Sequence, residues 1–487
     1  MDERSVCWKV LLPNEPEDKA LAIGLGAGGI VGLARSWEKV DCLASQDVVA
    51  AAQSHLPEVR ERVERIPSFK QCQEEYALVV CASPPEKETV EASEIADRLE
   101  ADGVLVCLGF AGCHLKAEAL RRAGFQEVQH YAAVPNYSPR IFFRLSSRRL
   151  VAKGLAFHSP GSRRAQWKTR IARLLAGCGG KALLRKGSLV VATRDRDFQR
   201  KQSLAAYLCR CLGYPIEDFV VYAGSDTSRR KITALAVAAG KQPDLVVKIS
   251  DTGQGAEAIR QETQALSALA ASPLADQVPK LVVEDGEWNG YTIQVQSAAP
   301  TCFRKQISRL TRQHFEFLAE LAKMGRTVQL LQSTKTWQKL CALIDKTDMV
   351  SLPKSVVEVI HVLRSDGYAK SEVVCHRTHG DFTPWNIHHS NGRLFVMDWE
   401  ESEADGLWLS DLLYFIYRQA SLVGPWPGAS QVEQSFGKAT ARLRTNVGYH
   451  EFDWLKTCLI WALYEYLVRP TANLEELLRS LSELPTK

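Results

Sequence analysis

The stretch that decides the reading is THGDFTPWNIHHSNGRLFVMDWEES, Thr378 to Ser402. It sets Asp381, Asn386 and Asp398 around two short apolar runs. The strand-like run SEVVCHRTHG leads into Asp381, so this carboxylate falls in a turn, and Asn386 follows from the same loop. A second strand, RLFVMD, ends on Asp398. Oxygen ligands from a loop and the neighbouring strand end suit a hard cation such as magnesium. Phosphoryl transfer asks little more of a protein: a carboxylate to orient the acceptor hydroxyl, a cation on the nucleotide phosphates and a loop covering them.

Working outward, LVVKIS carries Lys248, IRQETQALSAL carries Glu262, and the segments YAGSDTS and QVQSAAP flank them. Singly, Lys248 reads as a solvated strand charge and Glu262 as a helix-surface charge. Together with HGDFTPWN and FVMDWE, they give residues 202 to 487 a resemblance to the aminoglycoside phosphotransferase and choline kinase family, small-molecule relatives of the protein kinases. The resemblance implies an α+β bilobal protein-kinase-like fold, with an N-lobe over 201–300 and a C-lobe over 301–487. By it Asp381 is the catalytic base, Asn386 and Asp398 hold Mg2+, and His379 supports the loop. Lys248, paired with Glu262, meets the phosphates of ATP or GTP; Ser225 and Thr227 cover them, and Gln296 and Ala298 form the adenine hinge. The implied acceptor is a hydroxyl of a small molecule or glycan, with GPWPGAS around Trp426 as an apolar rim. A non-catalytic pseudokinase or scaffold is the competing class, and intact Lys248, Asp381, Asn386 and Asp398 speak against it. Asp411 in LSDLLYF reads most simply as a helix N-cap. His376, His379, His388 and His389 cluster in sequence, but strand alternation sends neighbours to opposite faces, which argues against a zinc site.

Residues 20 to 145 have another texture. Apolar strands (ALAIGLG, VDCLAS, YALVVCAS, GVLVCLGF, FQEVQHYAAV) alternate with helical stretches such as VEASEIADRLEA and LKAEALRRAGF. That alternation predicts an α/β Rossmann-like, doubly wound domain over 1–200. SLVVATR, Ser188 to Arg194, is expected as its closing strand. GLGAGG offers Gly24, Gly26 and Gly28 to S-adenosylmethionine, or Gly24, Gly26 and Gly29 to a dinucleotide. With ASPP at 82–85, the domain resembles a class I methyltransferase. The acids that hold the cofactor in such enzymes are replaced by Ala22 and by Ala44 and Ser45, while Asp41 lies near the start of its strand. Three readings stay open: an active methyltransferase, so that a bifunctional enzyme modifies a lipid-linked glycan; a degenerate binding domain; and a nicotinamide oxidoreductase.

A chain of 487 residues exceeds one core, and 46% hydrophobic with 24% charged residues is ordinary for a globular protein. Thirteen cysteines, odd in number and set in apolar runs, read as thiols of a reducing compartment. The acidic N-terminus lacks a signal-peptide pattern, and no run approaches the ~18 apolar residues of a span. The expectation is a cytoplasmic protein, peripheral to the membrane at most. The net charge of +5 hides a segment, Arg140 to Lys201, with seventeen Lys or Arg against two acids. Within an expected insertion over 140–187, SRRAQWKTRIARLLAG places Trp167, Ile171, Leu174 and Leu175 on one helical face amid arginines. Such a helix packs on its domain or lies on an anionic membrane surface or glycolipid. No nucleic-acid-binding motif accompanies the charge. The oligomeric state is not legible.

Overall fold

The computed structural model describes residues 3–12, 19–55, 57–82, 90–109, 113, 115–134, 139–145, 148–157, 188–194, 203–224, 229, 231–240, 242–300, 304–305, 309–390, 392–423, 425–447 and 453–484. Two compact units emerge, one of residues 1–259 with 282–298, the other of 260–281 with 299–487.

In the first unit, glycine-punctuated apolar runs become β1 (Lys19–Ile23), β2 (Lys39–Leu43), β3 (Val63–Arg65), β4 (Tyr76–Cys81) and β5 (Leu99–Leu108). These are parallel, in the order β3-β2-β1-β4-β5. The helices α1 (Ala27–Ala34), α2 (Gln46–His55), α3 (Ala92–Ala96) and α4 (Ala117–Arg122) lie between or after them in the chain. β6 (Glu127–Val134), β7 (Ile141–Arg144) and β8 (Leu189–Thr193) follow. β8 slots antiparallel between β5 and β6, which is where the run SLVVATR goes. The helix expected across VEASEIADRLEA stops at Ala96, because Leu99 is drawn into register with Tyr76 and buried.

The sheet does not end at β7. Strand β7 pairs with β9 (Ile216–Tyr222), matching Phe142 to Val221 and Phe143 to Val220, and all four side chains are fully buried. Beyond β9 come β10 (Ile232–Ala238), β11 (Leu245–Ser250), β13 (Tyr291–Ser297) and β12 (Leu281–Trp288), making thirteen strands among the described residues. Strands on either side of residue 200 therefore share one sheet. The helix α5 (Arg148–Phe157) presses on β7 so closely that a Cβ on Gly154 would stand 2.3 Å from the Phe143 ring. The N-terminal segment adds a further tie: buried Lys9 reaches Ser36 Oγ and the Asp251 carboxylate, each at 2.6 Å. After β8 the chain forms α6 (Leu204–Leu212), and after β11 it enters α7 (Gly253–Ala270).

The second unit holds two three-stranded sheets. One is β14 (Arg304–Lys305), β17 (Ile387–Ser390) and β18 (Arg393–Val396); the other is β15 (Thr327–Leu330), β16 (Glu372–Thr378) and β19 (Glu403–Leu407). Around them pack α8 (Arg312–Leu321), α9 (Lys335–Lys346), α10 (Lys354–Leu363), α11 (Asp366–Ala369), α12 (Ser410–Leu422), α13 (Ala429–Val447), α14 (Trp454–Val468) and α15 (Ala472–Ser482). α14 is the central helix, apolar on nearly every side, as burial on all faces demands. Among the described residues no helix is long and apolar enough to cross a membrane.

Ser225, Thr227, the ASPP prolines and the amphipathic helix expected within 140–187 lie outside the described residues.

Candidate active site

The site grows from the turn between β16 and β17. Gly380 has φ +83°, and a Cβ there would stand 2.1 Å from the Glu401 carbonyl oxygen, so glycine alone fits. His379, fully buried, accepts from the Asp381 backbone N–H on Nδ1 at 3.1 Å. Its Nε2 therefore carries the proton and donates to the Met397 carbonyl at 2.9 Å, while its ring lies 4.5 Å from that of Trp399. Asp411 is not the N-cap expected: it lies inside α12, buried, and accepts from the backbone N–H groups of His379 at 2.7 Å and Gly380 at 2.9 Å. Two amides of a turn that has no ladder partner need an acceptor, and the carboxylate supplies both. Burial pushes the Asp411 carboxyl up to about 6.

Held this way, Asp381 meets Asn386. The Asn386 amide donates to the Asp381 carbonyl at 3.0 Å and to its Oδ2 at 2.8 Å, which uses both N–H bonds and leaves Oδ1 as an acceptor. Met397 N–H donates to the Asn386 carbonyl at 2.9 Å, tying the end of β18 to the loop. Asp398 follows at φ +68°, an uncommon conformation for a residue with a side chain. Burial first, then repulsion from Asp398, pushes the Asp381 carboxyl up to about 7. Two carboxylates crowded beside an amide oxygen fit a hard divalent cation, whose charge would relieve that repulsion. Among the described residues no group of three or more His, Cys, Asp or Glu is arranged to hold a metal. A magnesium ion here would take Asn386 and Asp398 as its protein ligands and complete its shell with phosphate oxygens and water.

The other expected residues are placed as follows. Glu262, fully buried on α7, accepts from the Trp399 backbone N–H at 3.3 Å, next to Asp398. It is no surface charge. Lys248, in the first unit, is buried on β11 in register with Thr233 and Gln294. Gln296 is buried on β13, and Ala298 follows that strand with its N–H on the Asp244 carbonyl. Gly24 has φ +67°, Gly26 caps α1 with open space where a Cβ would stand, and Gly28 is buried on α1. Asp41 is turned to the core, accepting from the Tyr76 hydroxyl at 2.8 Å. Trp426 is pinned, donating to Glu476 at 2.8 Å and edge-on to Tyr417. The cavity of about 290 Å³ beside it, lined by Ile416, Gln419, Val423, Pro425 and Val432, opens on the face of α12 away from Asp411.

Sequence reasoning passed over Tyr414 and Arg418. Both stand near enough to Asp381 for their charges to act on one another. Their signal was the spacing Asp411, Tyr414, Arg418, which puts the three on one stripe of α12.

Residues 220–444 match the model of the phosphotransferase enzyme family. Solved structures with similarity include choline kinase LicA from Streptococcus pneumoniae, at 15% identity over 54% of this chain and 86% of that one, TM-score 0.33. A thermostable aminoglycoside phosphotransferase APH(4)-Ia, in ternary complex with ADP and hygromycin B, matches at 16% over 58% and 100%, TM-score 0.37. A fructosamine-3-kinase from Haemophilus somnus, so described provisionally, matches at 15% over 57% and 95%, TM-score 0.34. No curated protein matches the chain.

Proposed function

We propose that the chain is a small-molecule or glycan kinase that transfers the γ-phosphoryl group of ATP or GTP to a hydroxyl. The observation that carries this reading is the half-buried Asp381, fixed by Asn386 and by a turn that Asp411 and His379 hold. Asp381 orients the acceptor hydroxyl and takes its proton as the oxygen bonds to phosphorus. Asn386 and Asp398 are the residues that would hold Mg2+, which supplies neutralisation of the phosphate charge. Lys248, Ser225 and Thr227 are assigned to the phosphates, Glu262 to pairing with Lys248, and Gln296 and Ala298 to the base of the nucleotide. Asp381→Ala should abolish transfer while nucleotide binding persists. Turnover by that variant near the wild-type rate would refute the assignment of the base.

A second reading concerns the N-terminal part. The order β3-β2-β1-β4-β5-β8-β6, with β8 antiparallel, and Gly24 in the left-handed region support a methyltransferase-like fold that binds S-adenosylmethionine through Gly24, Gly26 and Gly28. Calorimetry decides it: no heat at millimolar S-adenosylmethionine removes the reading. The basic segment 140–187 is assigned to an anionic membrane surface or glycolipid, tested by sedimentation with anionic liposomes in low and high salt.

A further inference from the structure

This inference rests on the phosphotransferase reading. Along α12, Asp411, Tyr414 and Arg418 fall on one stripe, and Asp411 faces the turn that carries Asp381. The Arg418 guanidinium lies 4.8 Å over the Tyr414 ring and donates through Nη2 to the Tyr414 hydroxyl at 2.7 Å. Its Nε is buried and has no hydrogen-bond partner among the described residues. Among the described residues Arg418 makes no ion pair; the carboxylates of Glu465 on α14 and of Asp381 act on it only from a longer range. A buried donor left open in a native protein asks for an explanation, and beside a catalytic base the simplest one is a ligand.

The chemistry of that ligand follows from the side chain. A guanidinium presents a rigid planar fork that matches carboxylate or phosphate oxygens in pairs, and stacking on Tyr414 fixes its plane. An ammonium group seated there would meet like charge. The magnesium ligands come from the turn and from the end of β18, whereas Arg418 and Tyr414 come from α12, so they serve a different part of the reacting complex. We propose that Arg418, steadied by Tyr414, is the acceptor-positioning residue, and that the acceptor bears an oxyanion close to the hydroxyl that Asp381 activates.

The test is calorimetric titration of the full chain, in the presence of Mg-ADP, with glucuronate, glucose 6-phosphate, glucose and glucosamine. One of the oxyanion sugars should bind at least tenfold more tightly than glucose, with glucosamine weakest; which one leads tells carboxylate from phosphate. Arg418→Met should erase that preference, and Arg418→Lys should keep part of it. Equal or tighter binding of glucose or glucosamine, or no binding of any sugar, overturns the proposal. So does an Arg418→Met protein that keeps the preference, or one whose only loss is in Mg-ADP affinity, since the latter puts Arg418 on the phosphoryl donor. Should Arg418→Met fail to fold, the wild-type series and Arg418→Lys decide. A wild-type chain that binds no Mg-ADP counts against the phosphotransferase reading itself.

Discussion

At the scale of single residues, the turn after β16 is over-determined. Gly380→Ala forces a side chain into φ +83° and against the Glu401 carbonyl, so it should lower stability by at least about 2 kcal/mol, read as a drop in Tm. Asp411→Ala leaves the His379 amide buried without an acceptor, at roughly 1–3 kcal/mol, and takes the acceptor from the Gly380 amide as well. Turnover should then fall at least tenfold, because Asp381 loses its support; an Asp411→Ala enzyme with unchanged kcat contradicts that role. That Asp381 and Asn386 share one turn, with Asp398 just past the end of β18, was legible in the sequence because the three lie within one short stretch. The role of Asp411 was not, since it depends on contacts 32 and 31 residues away, and a residue near a helix start reads as a cap by default. Arg418 was hidden similarly: nothing local distinguishes it from a solvated arginine.

At the scale of elements, two buried histidines tie β16 and α8 to pH. Burial holds His376 and His314 each at about 4, below the ordinary 6.5. In the unfolded chain they take up protons at a higher pH than in the folded one. Their contribution is therefore complete above pH 6.5 and fades as pH falls toward 4, by about 3 kcal/mol each. Urea unfolding of wild type and His314→Phe at pH 7.5 and pH 5 isolates one of them: the variant should lose less stability on acidification. An equal loss in both would show that His314 does not titrate this way. The elements themselves were mostly readable where apolar periodicity was long, as in β9, β11, α7 and α14. β7 and β15 escaped because four residues carry too little pattern, and because the burial of Phe142 and Phe143 on both faces of β7 comes from α5 and from its pairing with β9.

At the scale of the whole molecule, the unexpected feature is the single sheet that joins strands from both sides of residue 200. Cutting the chain before α6 would bare β9, with Phe219, Val220 and Val221, as an unpaired apolar edge. A fragment of residues 203–487 should therefore be far less soluble than the full chain; a soluble monomer of equal Tm would show that the pairing of β7 with β9 is dispensable. The function read from this molecule rests on a cation shared between Asp398, Asn386 and a nucleotide beside Asp381. Nucleotide-dependent phosphoryl transfer measured against Mg2+ concentration, for wild type and Asp398→Asn, tests it most directly. The account predicts that turnover requires the ion and that the variant needs at least tenfold more of it or loses turnover altogether. The same magnesium dependence in both proteins would contradict it.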